Sequence, residues 1–114
     1  MIRRFQSGKR MSHAVVCNGM VFLSGQVADN TRGSLQEQTR DVLTKIERLL
    51  AEAGSGKSKL LCVYVYLPHI TDFAAMNEVY DAWIDPQNPP ARACTEARLA
   101  DPDLRIEIVA IAEA

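Results

Sequence analysis

Two charged side chains define the chemistry this chain could do. Arg92 stands near the start of Ala91-Arg92-Ala93-Cys94-Thr95-Glu96, directly behind Pro89 and Pro90. Each proline fixes its own φ and biases the preceding residue toward extended geometry, so the chain is delivered straight into a strand. A guanidinium is a planar fork of donors that keeps its proton in proteins, which suits two-point capture of a carboxylate. Glu107 lies within Leu104-Arg105-Ile106-Glu107-Ile108. A carboxylate between two isoleucines is either a solubiliser on an edge strand or a group that orients water and moves protons. Composition alone favours the plainer reading, because Arg and Glu are mostly surface residues and exposed ion pairs are common.

The elements around them follow from local signals. In the strand at Ala91–Glu96, Arg92, Cys94 and Glu96 share one face, and in the last strand Glu107 lies opposite Leu104, Ile106 and Ile108. Ile2 to Phe5 reads as an edge strand. Ala14-Val15-Val16-Cys17 and Met20 to Ser24 read as a hairpin around Asn18-Gly19, since both turn positions need positive φ. Gly25 then permits a close backbone approach to a neighbour or ligand, or serves as a simple turn residue. Ser34-Leu35-Gln36-Glu37 is a capping box. Leu35, Val42, Leu43, Ile46, Leu49, Leu50 and Ala53 recur at helical spacing behind it, and Gly54 supplies the stop. The charges of that helix, including Arg40, Lys45, Glu47 and Arg48, read as a solvated surface. Leu60 to Leu67 is nearly continuously apolar, which predicts an interior strand covered on both faces. Thr71 or Asp72 caps a second helix, whose Phe73, Met76, Tyr80 and Trp83 read as core packing. The order is β-β-β-α-β-α-β-β, an α+β domain spanning residues 1–114.

Other functions are disfavoured by composition and motif. The net charge of -1 argues against a dedicated nucleic-acid binder. Gly54-Ser55-Gly56-Lys57-Ser58 lacks a phosphate loop's first glycine and runs from helix into strand, whereas such a loop must run from strand into helix. Cys17, Cys62 and Cys94 show no zinc spacing and no C-x-x-C pair, which fits a reducing, cytoplasmic setting, and Cys17 and Cys62 read as small buried hydrophobes. No apolar run is long enough to cross a membrane.

Pro90-Ala91-Arg92-Ala93-Cys94 with Arg105-Ile106-Glu107-Ile108 resembles the C-terminal signature of the Rid/YjgF family, the RidA-like enamine/imine deaminases. Gly19-Met20-Val21-Phe22-Leu23-Ser24-Gly25-Gln26 is similar to the family's early strand. Gln38-Thr39-Arg40 with Ala53-Gly54 is similar to its first helix, and Asp72-Phe73-Ala74-Ala75-Met76-Asn77-Glu78-Val79-Tyr80 to its second. The likeness runs through nearly the whole chain in the family's order.

The resemblance implies a chorismate-mutase-like mixed sheet with two helices on one face, whose final strand runs between earlier ones. It also implies a homotrimer with pockets between subunits. Carried over residue by residue, Arg92 would grip a substrate carboxylate, Glu107 would position water, and Cys94, Ser24, Gly25 and Asn77 would line the pocket. The implied reaction is hydrolysis of an imino or enamino acid to a 2-oxo acid and ammonia, without metal or organic cofactor and with neither nucleic acid nor membrane as partner. A noncatalytic carboxylate sensor, or a deaminase of a 2-aminomuconate-like intermediate, are the alternatives. Many deaminating relatives carry tyrosine where this chain has Met11, so the pocket's mouth is altered. His13 beside it offers a polar side chain but reads as structural at a strand start.

Overall fold

The computed structural model describes all 114 residues. Asn18 and Gly19 both take positive φ, 51° and 74°, closing the hairpin between β2 (Ala14–Cys17) and β3 (Met20–Leu23). The capping box forms as expected: the Ser34 hydroxyl accepts from the Glu37 amide, and the Glu37 carboxylate accepts from the Ser34 amide. It starts α1 (Leu35–Glu52), which buries Leu35, Val42, Leu43, Ile46, Leu49 and Leu50. Each such side chain contributes about 2 kcal/mol through burial. Gly54, at φ 83°, ends the turn that follows. The helix α2 (Phe73–Trp83) enters through a short 3-10 turn at Ile70–Asp72, and the Asp72 side chain does not cap it. That carboxylate instead pairs with Arg105 at 3.0 Å.

The sheet order is β1-β2-β3-β6-β4-β5, with β1 at Arg3–Phe5, β4 at Leu60–Leu67, β5 at Ala91–Glu96 and β6 at Glu107–Glu113. The last strand enters between β3 and β4, antiparallel to both, while β5 pairs with β4 in parallel at the far edge. A local β5–β6 hairpin would have set Glu96 against Glu107, like charges on one face. Insertion of β6 removes that repulsion and makes Glu107 an interior-strand residue, excluding the edge-solubiliser role. The core lies between this sheet and the two helices, where Ile108, Ala110 and Ala112 of β6 and Val63, Val65 and Leu67 of β4 are fully enclosed.

The opposite face is open in a single chain. Val15, Phe22, Ile111 and Cys62 form one row across four strands in register, with Phe22 41% exposed and Tyr64 38% exposed nearby. Two sequence expectations differ from the structure. The β4 strand is covered by helices on one face only, and Cys17 and Cys62 lie half-buried on the open face rather than in the core. Unbroken apolarity in β4 therefore reports a second face that the chain's own helices leave open.

Candidate functional site

Arg92 projects from β5 on the helix side, where its strand position pairs with buried Val63. Its Nη1 donates to the Asn77 side-chain oxygen at 2.8 Å. The guanidinium also lies over the Tyr80 ring at 4.7 Å and the Phe73 ring at 5.8 Å. Phe73, Asn77 and Tyr80 are spaced i, i+4, i+7, so one face of α2 presents all three to the cation. No carboxylate balances this charge, because the chain's two ion pairs are Lys45–Asp29 and Arg105–Asp72. Cys94 stands two residues along on the same face, half-buried. Burial pushes its thiol pKa up, with the Arg92 charge pulling the other way. Burial likewise raises the Tyr80 hydroxyl, against the pull of Arg92.

Glu107 is held differently. Just beyond β3, Gln26 and Ile108 exchange backbone hydrogen bonds of 2.8 and 3.1 Å, which draws Ser24-Gly25-Gln26 alongside the start of β6. The Glu107 side chain lies across Gly25 so closely that a Cβ there would sit 2.8 Å from its Cδ and 3.2 Å from its Cγ. The glycine thus makes the close approach that its position allowed. The Ser24 hydroxyl and carbonyl both accept from the Gln26 side chain at 3.0 Å. Upstream of Glu107, the buried Gln38 amide donates to the carbonyls of Thr31, Gly33 and Asp103 and accepts from the Arg105 amide at 2.8 Å. One side chain therefore ties the loop before α1 to the loop that leads into β6.

The six expected site residues fall into two groups: Arg92 with Asn77 and Cys94, and Glu107 with Ser24 and Gly25. The register separates them. Arg92 pairs with Val63 and Glu107 with Tyr66, so they differ by three positions along β4, stand on flanking strands, and point to opposite faces. Two strand spacings alone amount to roughly 10 Å. Within one chain a small substrate cannot touch both. Phe73, Tyr80 and Gln38 are the contributors that sequence reading assigned to packing or did not single out. The i, i+4, i+7 spacing with Asn77 carried the signal for the two aromatics, whereas Gln38 depends on loops distant in sequence.

His13 and Gln26 line a polar groove of about 370 Å³ with Asp29, Lys45 and Arg48. Lys45, expected to be solvated, donates to Asp29 and to the Val27 carbonyl, and Glu47 accepts from the Trp83 indole. Met11 is 47% exposed in the loop before His13. No three His, Cys, Asp or Glu side chains come together in a way that could hold a metal ion.

Comparison with known proteins agrees with this architecture over its full length. The chain is 40% identical to a RutC family protein of Haemophilus influenzae over 112 residues, 97% of each sequence. It is 34% identical to RutC family protein YoaB of Escherichia coli strain K12 over 111 residues, covering 97% of this chain and 96% of that one. Among solved structures, a YjgF-family protein from Neisseria meningitidis superposes with TM-score 0.96 at 49% identity, covering 99% of this chain and 94% of that one. A family model described as "Endoribonuclease L-PSP" matches residues 1–114, and the chain accordingly belongs to that family, the YjgF/Rid group.

Proposed function

We propose that the protein hydrolyses imino and enamino acids, derived from amino acids, to 2-oxo acids and ammonia, in an assembly where Arg92 of one copy meets Glu107 of another. The observation that carries this reading is the unbalanced guanidinium. Arg92 is already oriented by Asn77, Tyr80 and Phe73 and lacks only an anionic partner. The open apolar sheet face, with Phe22, Ile111 and Tyr64, is a surface that a second copy would cover. A homotrimer built on that face would bring the edge of one sheet toward a neighbour, closing the distance that a single chain leaves.

The chemistry asks little beyond placement. A 2-imino acid carries its carboxylate next to an electrophilic C=N carbon, and binding the carboxylate to Arg92 fixes that carbon in space. An enamino substrate first takes a proton from solvent at its β-carbon to become the protonated imine. Glu107 then accepts a proton from water as the oxygen bonds to carbon. It returns that proton to the nitrogen of the resulting carbinolamine, and as the C–N bond breaks it accepts the proton of the new hydroxyl, which passes on to the departing ammonia and leaves the 2-oxo acid. Cys94 lines this path, and burial raises its pKa so that the thiol keeps its proton and water remains the attacking group.

The test is release of ammonia and 2-oxo acid from imines generated in place by an amino-acid oxidase. Wild type should accelerate release over buffer, and Arg92→Ala and Glu107→Gln should each lower the rate by about 100-fold, while light scattering reports an unchanged assembly. Loss of Met11's usual tyrosine hydroxyl favours one rival, a binder without turnover. If wild type binds 2-oxo acids but leaves the hydrolysis rate at that of buffer, the binder reading replaces this one.

A further inference from the structure

A further groove, between the two helices, lies away from both half-sites. It occupies about 450 Å³ between α1 and α2 and opens on the outer surface of the helix layer. Its apolar wall is made by Leu43, Val79 and Trp83, and its charged groups are Arg40, Lys57 and Glu78. The Trp83 indole is fixed by donation to Glu47 at 2.7 Å, so that carboxylate is already engaged. Lys57 donates to the Trp83 carbonyl at 2.7 Å and stands 5.4 Å over its ring, which leaves two of its three N–H groups free.

Arg40 and Glu78 carry opposite charges, line the same groove from facing helices, and belong to neither of the chain's ion pairs. Arg40 makes only the smallest contribution to the lowered pKa of neighbouring Glu37, behind the bonds from Ser34. Opposite charges that face one groove without closing on each other leave space for a ligand with both signs. A simple carboxylate would suit Arg40 and Lys57 but leave Glu78 opposed to it. A simple amine would meet two cations.

We propose that this groove is a binding site for a free α-amino acid with an apolar side chain. Its carboxylate lies between Arg40 and Lys57, its ammonium group faces Glu78, and its side chain packs on Leu43, Val79 and Trp83. The site is separate from the proposed hydrolytic one. Asn77, the residue before Glu78, turns toward Arg92, whereas Glu78 is exposed on the groove side.

Titration calorimetry on the full chain with L-leucine and L-phenylalanine tests this, against 4-methylpentanoate and 3-methylbutylamine, which each lack one charge. The amino acids should bind saturably, one per chain, and each analogue at least about 10-fold more weakly. Arg40→Ala and Glu78→Gln, both at exposed positions, should each weaken binding by about 10-fold with an unchanged circular dichroism spectrum, and Arg92→Ala should leave it untouched. Absence of saturable binding overturns the proposal. So does binding that survives both groove substitutions, and binding lost in Arg92→Ala assigns the ligand to the other site.

Discussion

The two half-sites fix a charged group by different means. Arg92 sits on an edge strand and is oriented by side chains of one helix: an amide oxygen and two ring faces. Glu107 sits on an interior strand, bounded by the Gln26–Ile108 bridge on one side and β4 on the other, and rests on a residue with no side chain. Side-chain orientation degrades by degrees, because each partner can be removed while the others remain. Main-chain placement does not, because the base of the Glu107 side chain moves only when a strand or its bounding loop moves. Substitutions around Glu107 should therefore act abruptly, and those around Arg92 gradually.

Gln38→Leu attacks the Glu107 side at its anchor and carries the largest expected effect. The substitution leaves the Thr31, Gly33 and Asp103 carbonyls and the Arg105 amide without their partner. Stranded polar groups of this kind make a loss of about 3 kcal/mol reasonable, to be read from urea unfolding. A loss below about 1 kcal/mol would mean that water replaces the amide and that the two loops stand on their own.

Gly25→Ala keeps the anchor but intrudes on the carboxylate itself. The new methyl would overlap the Glu107 side chain, whose flexible end can give way, so unfolding should shift little. Imine hydrolysis should fall by about 100-fold, the usual consequence of moving a reacting group by about 1 Å. A variant that retains full turnover would break the link between that close contact and the chemistry. Asn77→Ala probes the other half. Removing one of the supports of Arg92 should raise KM for carboxylate substrates by about 10-fold with kcat nearly kept, since an orienting hydrogen bond to a charged group is worth about 1.5 kcal/mol.

Much of this architecture is legible in the sequence because its signals are local. Asn18-Gly19, the Ser34–Glu37 box and Gly54 each specify a turn or helix end from a few residues, and the structure carries all of them. The placement of the last strand is not local. Family resemblance implies it, and the Glu96–Glu107 repulsion in a local hairpin is the physical hint that points the same way. The division of the site residues between two faces was not legible at all. It depends on which β4 residue each flanking strand meets, and a shift of one position would exchange the faces. The same limit explains Lys45 and Glu47: helical spacing places both outward, but only the loop and helix brought against α1 supply Asp29, the Val27 carbonyl and Trp83.

Cys94 offers the smallest effect and the sharpest contrast with its neighbours, because it shares the Arg92 face without sharing the work of holding it. Its thiol is the one group of that half-site that invites a covalent mechanism, yet burial raises its pKa above the ordinary thiol value even beside a cation. A group whose folded pKa is raised stabilises the fold fully below its unfolded pKa and loses that contribution as pH climbs through the folded value. Near neutrality the thiol therefore keeps its proton and stays a poor nucleophile. Cys94→Ser replaces sulfur by a smaller, still weaker nucleophile of similar shape, and imine hydrolysis should stay within about 3-fold of wild type if the thiol only lines the pocket, against the loss of 10²-fold or more that removal of an attacking group brings. Iodoacetamide labelling of Cys94, followed by peptide mass across pH 7 to 10, should rise steeply only at the alkaline end. Rapid labelling at neutral pH together with an inactive serine variant would make sulfur, rather than water, the atom that first reaches the C=N carbon.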